Sequence, residues 1–298
     1  MRILLTGKNG QVGFELRRSL AVLGQVRALG TADCDLSDAS AIRQMVRAYR
    51  PDVIVNPAAY TAVDKAESES ALAHAINAQA PAVLAEEAQS LGALLVHFSS
   101  NYVFDGAQAV AYTEADAPKP QGAYGASKWA GERAVAMACQ RHLILRTSWV
   151  VGAHGSNFAK TILRLASERE ALNVVADQWG APTSAALLAD VAAHVVRQAQ
   201  QCPGDFPYGL YHVAGAGETN WHAYAAYVIE RARQAGWPIR VAPDAIRAIT
   251  SAEHPSPARR PANSRLDTAS LRQTFGLCLP PWQEGLDHIL DQILSTRP

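Results

Sequence analysis

The chain has 298 residues, of which 49% are hydrophobic and 18% are charged, and its 27 basic side chains balance 27 acidic ones. A net charge of zero leaves no cationic excess for binding nucleic acid or an anionic membrane surface, and this apolar content excludes intrinsic disorder. A chain of this length is expected to fold into one or two domains with a sizeable core. No stretch approaches the roughly 20 consecutive apolar residues of a membrane span.

The first half of the chain alternates short aliphatic runs with longer amphipathic stretches. The runs predict strands at Ile3–Thr6, Val26–Leu29, Val53–Asn56, Leu94–Phe98 and Leu143–Thr147. The stretches between them predict helices at Glu15–Leu23, Ala39–Arg47, Leu72–Leu91 and Lys128–Ala138. This alternation is typical of an α/β fold with a Rossmann-like, doubly wound parallel sheet. Ligands of such sheets bind at the carboxyl ends of the strands.

The second half is less regular and is interrupted by proline and glycine. Helices are predicted near Leu187–Gln200 and Trp221–Ala235, with a short strand at Leu210–Val213. We therefore expect a Rossmann domain over residues 1–147, to which later segments return. Residues 148–298 are expected to form mainly a smaller α/β substrate-binding domain, interleaved with the first.

A glycine-rich turn directly follows the first predicted strand and opens a helix. Gly7, Gly10 and Gly13 have the spacing G-x-x-G-x-x-G, with Gln11 and Val12 between the last two. Glycine lets the backbone approach a pyrophosphate closely, and the helix amino terminus then stabilises its charge. The turn predicts a dinucleotide site, with a turn that holds no ligand as the alternative.

The end of the second predicted strand bears on the choice of cofactor. Gly30 stands where an acidic residue would bind the ribose of NAD, so the repulsion of a 2′-phosphate is absent. We therefore expect NADPH as the cofactor, with NADH also accepted. Arg27 is a candidate phosphate partner or simply a solvated side chain. Asp35 and Leu36 are expected at the adenine, with plain capping of the loop by Asp35 as the alternative.

Small residues follow the third predicted strand. Ala58 and Ala59, followed by Tyr60, come directly after Asn56-Pro57. Their size leaves room for a dinucleotide to cross the edge of the sheet, although packing alone also explains them.

Tyr124 and Lys128 are four residues apart, which places them on one face of a helix. A phenol with a pKa near 10 acts in acid–base chemistry at neutral pH when an ammonium group lies close to it. Lys128 supplies that charge and also reaches the hydroxyls of the nicotinamide ribose. Ser100, just beyond the fourth predicted strand, is placed to bind a substrate carbonyl. His97 lies within that strand and is expected in the core.

The glycine turn, the S-S-x-Y-V-F stretch and Y-x-x-x-K, in this order, resemble the extended short-chain dehydrogenase/reductases. Five further stretches resemble the dTDP-4-dehydrorhamnose reductase branch of that family: Val63–Glu67, Arg146–Val150, Asn157–Lys160, Asp177–Thr183 and Arg260–Ser264. The resemblance runs from Met1 to about Trp282, which is nearly the whole chain.

The resemblance implies that NAD(P)H reduces the C4 keto group of dTDP-4-dehydro-6-deoxy-L-mannose to give dTDP-L-rhamnose, the last step of dTDP-rhamnose biosynthesis. Tyr124 would be the general acid, Lys128 would hold the ribose and lower the pKa of Tyr124, and Ser100 would bind the C4 oxygen. The resemblance also implies a substrate side formed by Ser100, Asn101, Tyr102, Trp149, Asn157 and Arg260.

The chain departs from the family pattern at two places. Asn101 replaces the family's aspartate and removes a negative charge beside the substrate. Some members bind Mg²⁺ through glutamates at a dimer interface; Glu15 matches one of these, but Ala186 and Gln292 stand at the other two positions. An alanine or an amide is a poor substitute for a carboxylate ligand. We therefore expect no metal at that interface, and a homodimer loses its main support.

Four cysteines bear on the compartment, and two other functions remain open. Cys34, Cys139, Cys202 and Cys278 lie far apart without a C-x-x-C pair, which is typical of free thiols in a reducing compartment and predicts a cytoplasmic protein. The first alternative is a reductase of another nucleotide-4-keto-6-deoxy sugar. The second is a non-catalytic regulatory subunit on the same fold, which would have no need of the intact set of site residues.

Overall fold

The computed structural model describes residues 1–295, and a six-stranded parallel sheet forms its centre. Within these residues the strands are β1 (Arg2–Leu5), β2 (Gln25–Ala28), β3 (Val53–Asn56), β4 (Leu94–Ser100), β5 (His142–Thr147), β6 (Val150–Val151), β7 (Leu172–Val175), β8 (Trp179–Gly180), β9 (Thr183–Ser184), β10 (Gly209–His212), β11 (Thr219–Asn220) and β12 (Ile246–Ile249). The α-helices are α1 (Gln11–Ala21), α2 (Ala39–Tyr49), α3 (Val63–Ala66), α4 (Ser70–His74), α5 (Ala80–Leu91), α6 (Ala123–Ala138), α7 (Phe158–Glu168), α8 (Ala185–Gln201), α9 (Trp221–Gln234), α10 (Ala269–Phe275) and α11 (Trp282–Ser295). None of the helices in this part of the chain combines the length and apolar character needed to cross a membrane.

The central sheet has the order β10-β5-β4-β3-β1-β2, and all its neighbouring strands are parallel. Strands β3 and β4 are buried along their whole length, as expected for strands covered by helices on both faces. The predicted α/β fold with a doubly wound parallel sheet is confirmed. The five strands predicted in the first half are all present, with ends within two residues of the prediction.

The strand predicted at Leu210–Val213 belongs to the central sheet. It is β10, which pairs with β5 in the register Leu210 to Ile144 and extends the sheet at one edge. Helix α8 also returns to the sheet, where Leu188 and Val195 pack with Leu16 of α1 in one continuous core. The 147/148 domain boundary stays a prediction.

A second core lies outside the sheet layers, between α7, α9 and α11. Tyr224 and Val228 of α9 pack there with Ile162 of α7 and Leu286 of α11. Three small two-stranded sheets complete this region: β8 with β11, β7 with β12, and β6 with β9.

The stretch predicted as one helix, Leu72–Leu91, is interrupted by a π-helical turn at Ala75–Gln79 between α4 and α5. The buried Asn77 lies in this turn, and its side chain bonds both backbone polar groups of Tyr60 and the Ser127 hydroxyl. A π-turn adds one residue to the helix and so rotates the side chains that follow, a change that apolar periodicity does not reveal.

Helix α6 begins at Ala123, five residues before the predicted start, and so includes both Tyr124 and Lys128. The sequence does not indicate this earlier start, because glycine has a low helix propensity and the stretch contains Gly122, Gly125 and Gly131. Two of them permit close packing: a Cβ on Gly125 would lie 2.1 Å from the Tyr102 carbonyl oxygen, and one on Gly131 would lie 2.1 Å from the Asn77 carbonyl oxygen.

Candidate active site

A cleft of about 620 Å³ opens at the carboxyl ends of the central strands. Its lining comes from the ends of five of these strands, β1 to β5, with the loops that follow them, and from α6. The lining residues include Gly7, Gly10, Gln11, Val12, Gly13, Gly30, Thr31, Ala58, Ala59, Ser99, Ser100, Tyr124, Lys128, Thr147 and Trp149. This is the edge at which a doubly wound sheet binds its ligands.

The glycine turn is shaped by two close approaches of the backbone. Gly7 has a φ of +63°, which favours glycine, and a Cβ there would lie 3.0 Å from the Cα of Ala58. A Cβ on Gly13 would lie 1.9 Å from the Gly7 carbonyl oxygen, so helix α1 can only sit this close to the turn with glycine there. Gly10 precedes the helix and has no side chain with which to cap it, so the first N–H groups of α1 are left for another acceptor.

Tyr124 and Ser100 share a hydrogen bond in this cleft, which lowers the pKa of Tyr124. Burial raises that pKa more strongly, to about 12, although the residue is only partly buried and lines the cleft. Tyr124 is therefore protonated at neutral pH. The hydrogen bond that lowers the pKa of Tyr124 in this structure comes from Ser100. That Lys128 also lowers it stays a prediction.

Lys128 is buried and donates from Nζ to the carbonyl oxygen of Phe98 across 2.6 Å. Burial lowers its pKa to about 8, and the carboxylate of Glu132 acts in the opposite direction. The ammonium group therefore predominates at neutral pH. One of its three N–H donors faces the strand, which leaves two for other acceptors.

Glu132 pairs with Arg146 in a buried, two-pronged ion pair. Nε of Arg146 donates to one carboxylate oxygen at 2.8 Å and Nη2 donates to the other at 2.6 Å. The guanidinium also lies over the ring of Phe104, 4.9 Å from its centroid. Sequence reasoning did not identify this pair, although two signals were available: Glu132 follows Lys128 by four residues, and Arg146 is a charge inside an apolar strand.

Two of the hydroxyl groups in the cleft lining are buried and form no hydrogen bond within the described residues. Among the residues that the structure describes, Ser99 Oγ and Thr147 Oγ1 have no hydrogen-bond partner, and both side chains line the cleft. Unpaired buried hydroxyls are costly unless a ligand or water satisfies them. Together with the glycine turn, they fit a polar, phosphate-containing ligand such as a dinucleotide.

A second cavity of about 1180 Å³ adjoins the first, and Val63 and Tyr102 line both. Apolar side chains form part of its lining: Phe158, Ile162, Leu165, Leu172 and Val174. Three arginines also line it, namely Arg169, Arg259 and Arg260. The guanidinium of Arg260 pairs with the Asp64 carboxylate at 2.8 Å. The two cavities together suit a ligand pair in which a phosphate-rich molecule lies beside the cofactor site.

Trp149 lies between these two cavities in an unusual backbone conformation. Its φ is +47°, a region that non-glycine residues rarely occupy. Its ring stacks on Trp221, with centroids 3.7 Å apart, and Trp221 lines the second cavity. A Cβ on Gly180 would lie 2.7 Å from the Trp149 ring, so this placement depends on glycine at that position.

The side chains of two predicted substrate residues, Asn101 and Asn157, form hydrogen bonds within the protein. The amide of Asn101 donates to the Ser264 hydroxyl at 2.8 Å, a bond that an aspartate could not donate. Asn157 donates to Gln11 Oε1 and to the Gly152 carbonyl oxygen, and its own oxygen caps α7. Asn157 thus joins the loop after β6 to the glycine turn, and its predicted contact with a sugar nucleotide stays a prediction.

Three predicted cofactor residues, Asp35, Leu36 and Tyr60, are not among the residues that line the cleft. Asp35 is exposed and accepts hydrogen bonds from Ser37, which is the capping alternative. Leu36 packs against the core on the α2 face of the sheet. Tyr60 donates its hydroxyl to Glu69 and its N–H to Asn77. Their contacts with a dinucleotide stay predictions.

His97 is buried in β4, as expected, and its Nδ1 lies 3.1 Å from the Asn56 amide. In α9, Tyr224 is buried in the second core, and Trp221 and Tyr227 pack against the same core. These side chains belong to the packing of the protein.

The parallel sheet, the glycine turn and the Ser100–Tyr124–Lys128 cluster define an NAD(P)-dependent oxidoreductase of the extended short-chain dehydrogenase/reductase type. The model of the RmlD substrate binding domain family matches residues 1–295 of the chain. The chain belongs to this family.

Curated relatives and solved structures agree with this assignment. The chain is 49% identical to the dTDP-4-dehydrorhamnose reductase of Escherichia coli K12, over 99% of both chains. It is 46% identical to the dTDP-4-dehydrorhamnose reductase of Burkholderia thailandensis, over 99% of this chain and 100% of the other. The crystal structure of dTDP-4-dehydrorhamnose reductase from Bacillus anthracis in complex with NADP is similar, with a TM-score of 0.87, 35% identity and coverage of 98% and 99%.

Proposed function

We propose that this chain is an NAD(P)H-dependent reductase that converts the C4 ketone of dTDP-4-dehydrorhamnose into the hydroxyl of dTDP-L-rhamnose. Relatives named for this activity match the chain over almost its full length. The observation that carries the proposal is the protonated Tyr124 hydroxyl, hydrogen-bonded to Ser100 in a cleft beside the glycine turn. This arrangement is a proton donor next to a dinucleotide site.

The cofactor would be held by the glycine turn and by Lys128. The N–H groups at the start of α1 would donate hydrogen bonds to its pyrophosphate, and the two remaining N–H donors of Lys128 would bind hydroxyls of the nicotinamide ribose. When bound, NADPH or NADH supplies the hydride. The unpaired hydroxyls of Ser99 and Thr147 are further candidates for contacts with it.

Tyr124 would supply the proton that the reduced carbonyl oxygen requires. Its raised pKa keeps the phenol protonated before the reaction. A positively charged Lys128 would stabilise the phenolate that forms afterwards. Ser100 would orient the carbonyl oxygen while it shares a hydrogen bond with Tyr124. The balance is one hydride added to carbon and one proton transferred from Tyr124 to oxygen, with the phenol regenerated from solvent.

The second cavity would take the nucleotide half of the substrate. Its basic side chains Arg169, Arg259 and Arg260 suit a diphosphate, and its apolar wall suits a flat base. Trp149, placed between the cavities, would pack on the sugar. Asn101 leaves the site with one negative charge fewer than the family's aspartate would provide.

The proposal is tested by loss of NADPH absorbance on addition of dTDP-4-dehydrorhamnose, with Tyr124→Phe measured in parallel. Removing the proton donor is expected to lower kcat by roughly 10²–10⁴-fold. Tyr49→Phe is the matched control, because Tyr49 lies at the end of α2, outside the cleft lining, and its hydroxyl donates to the backbone carbonyl oxygen of Gln25 in β2. Absence of turnover in the unmodified protein, with saturating sugar nucleotide bound, would point instead to a different nucleotide ketosugar.

A cytoplasmic location belongs to the same proposal. Cys34 and Cys139 are buried free thiols, and Cys202 and Cys278 are exposed free thiols. Free thiols of this kind are typical of a reducing compartment.

A further inference from the structure

The short helix α3 lies where the cofactor cleft and the second cavity meet. Val63, its first residue, lines both cavities, and Thr61 just before it lines the cofactor cleft. Ala66 is fully buried and anchors the helix. Asp64 lies in the helix and Glu67 directly follows it, and because the two are three residues apart their carboxylates share one helix face. Each carboxylate contacts a different half of the site.

Asp64 contacts the segment 258–260, which lines the second cavity. Its Oδ2 accepts a hydrogen bond from Nη2 of Arg260 at 2.8 Å, and its Oδ1 accepts one from the backbone N–H of Ala258 at 3.2 Å. The first contact orients the guanidinium and the second holds the backbone that carries it. Since the Asp64 and Arg260 side chains are 41% and 33% exposed, their attraction is largely screened, and the contact acts on geometry more than on stability.

Glu67 contacts the other half of the site, at the start of α6. Its Oε1 accepts a hydrogen bond from the backbone N–H of Ala123, the first residue of that helix, at 2.9 Å. Gly122 precedes the helix and supplies no side-chain cap, so Glu67 provides the missing acceptor from another segment. A Cβ on Gly122 would lie 2.5 Å from the same oxygen, so glycine leaves room for this carboxylate. Tyr124 is the next residue of the helix, so the acceptor lies one residue from the proton donor.

We propose that Asp64 and Glu67 are positioning residues, Asp64 for the binding of the sugar nucleotide and Glu67 for the proton donor Tyr124. This inference rests on the proposed function, since it requires a reductase with its substrate in the second cavity. Asp64 holds the segment that meets the diphosphate, so its loss weakens substrate binding. Glu67 holds the first turn of α6, so its loss displaces Tyr124 and slows the chemical step. Lys128 stays in place, because it lies one turn further along and is bonded to strand β4.

The loss of Asp64 is expected to act on binding alone. Asp64→Ala should raise the KM for the sugar nucleotide and the Kd for dTDP by about tenfold, as for the loss of one hydrogen bond. The kcat and the Kd for NADPH should stay within about twofold of the unmodified protein. Asp64→Asn keeps an oxygen that accepts from the Ala258 N–H, so it should recover most of the binding. Tighter binding of dTDP in both variants would mean that Asp64 competes with the diphosphate for Arg260, and it would overturn the proposal.

The loss of Glu67 is expected to act on the chemical step. Glu67→Ala should lower kcat by roughly tenfold, because small displacements of a reacting group are costly. The Kd values for dTDP and NADPH should change by less than about twofold. Glu67→Gln keeps an oxygen that accepts from the Ala123 N–H, so it should restore most of kcat. Hydrogen–deuterium exchange in the first turn of α6 reports the same loss without turnover and should be faster in Glu67→Ala than in Glu67→Gln.

The experiment combines steady-state kinetics of the full chain with calorimetric titrations of dTDP and of NADPH. Asp291→Ala and Glu168→Ala are matched controls, because each removes a carboxylate that pairs with an arginine outside the lining of both cavities. Urea unfolding of every variant separates a loss of stability from a loss of positioning.

Weaker dTDP binding in Asp64→Ala and a lower kcat in Glu67→Ala, each reversed by the amide variant, would support the proposal. Alanine variants that match their controls, or that change kcat and the dTDP affinity together, would overturn it and leave the reductase proposal intact. Absence of turnover in the unmodified protein would instead overturn the proposed function.

Discussion

The Nζ atom of Lys128 and the carbonyl oxygen of Phe98 are joined by a 2.6 Å hydrogen bond. This bond ties helix α6 to the end of strand β4 at the level of Ser99 and Ser100. Since Tyr124 lies one helical turn before Lys128, the same contact brings its hydroxyl to Ser100. The strand end and the helix face are therefore fixed together, and the proton donor is positioned before any ligand binds.

The pH dependence of activity follows from the pKa of Lys128, which burial lowers to about 8. We expect kcat/KM for NADPH to fall as the pH rises through about 8, because the ammonium that binds the ribose is lost. A stopped-flow or steady-state pH profile between pH 6 and about 10 would measure this. A rate that stays flat to the range of an ordinary lysine, about 10.4, would contradict it.

The same lowered pKa also predicts how stability depends on pH. The unfolded chain keeps Lys128 protonated up to the ordinary lysine pKa of 10.5, whereas in the folded protein the pKa of this group is about 8. The unfolded state therefore binds more protons between these values, so this group makes the protein more stable as the pH rises from about 8 to about 10.5. Lys128→Met should abolish that part of the pH dependence, as measured by urea unfolding at several pH values.

The Glu132–Arg146 pair is expected to stabilise the fold and to support Lys128. Glu132→Gln leaves a buried guanidinium without its counter-charge, which costs about 3–5 kcal/mol of unfolding free energy. It also moves the alkaline limb of the kcat/KM profile to lower pH, because Glu132 raises the pKa of Lys128. Glu168→Gln, which breaks the exposed pair with Arg164, is the control and should cost less than about 1 kcal/mol. Equal losses in the two variants would be incompatible with this account.

The glycine turn predicts a specific loss of cofactor binding. Gly13→Ala places a Cβ 1.9 Å from the Gly7 carbonyl oxygen, so the turn or helix α1 must move. Overpacking of this kind costs about 1–3 kcal/mol, and we expect NADPH to bind roughly tenfold more weakly. Gly204→Ala is the control, since a Cβ there meets nothing within 4 Å. Unchanged affinity in a folded Gly13→Ala protein would show that the pyrophosphate lies elsewhere.

Gly180→Ala separates the sugar side from the cofactor side. The added Cβ would lie 2.7 Å from the Trp149 ring and displace it from Trp221. The KM for the sugar nucleotide should rise by roughly tenfold, while the Kd for NADPH changes by less than about twofold. If both constants rise together, Trp149 contributes to the cofactor site and the assignment of the two cavities is wrong.

The sequence was sufficient to predict the parts of the site that depend on local order. Tyr124 and Lys128 share a helix face because they are four residues apart, and Ser100 follows an apolar run that had to be a buried strand. The glycine turn was likewise predictable because it directly follows the first strand. These features need only the periodicity of a helix or a strand.

The contacts that the sequence did not predict join residues that are far apart in the chain. Asn77 reaches Tyr60 and Ser127 from a π-turn, whose extra residue leaves no mark in the apolar pattern. Asp33 meets Lys8 because two loops converge at the end of β2, a distance that no local spacing determines. Strand β10 joins the central sheet through a crossover that includes α8, and only the tertiary pairing with β5 reveals it.

The most direct test of the central claim is transfer of deuteride from 4-deuterated NADPH to dTDP-4-dehydrorhamnose, with the product analysed by nuclear magnetic resonance. The account predicts a dTDP-linked L-rhamnose with deuterium at C4. It also predicts that Tyr124→Phe forms this product far more slowly while still binding NADPH. A product without deuterium at C4, or a Tyr124→Phe variant as fast as the unmodified protein, would contradict the account.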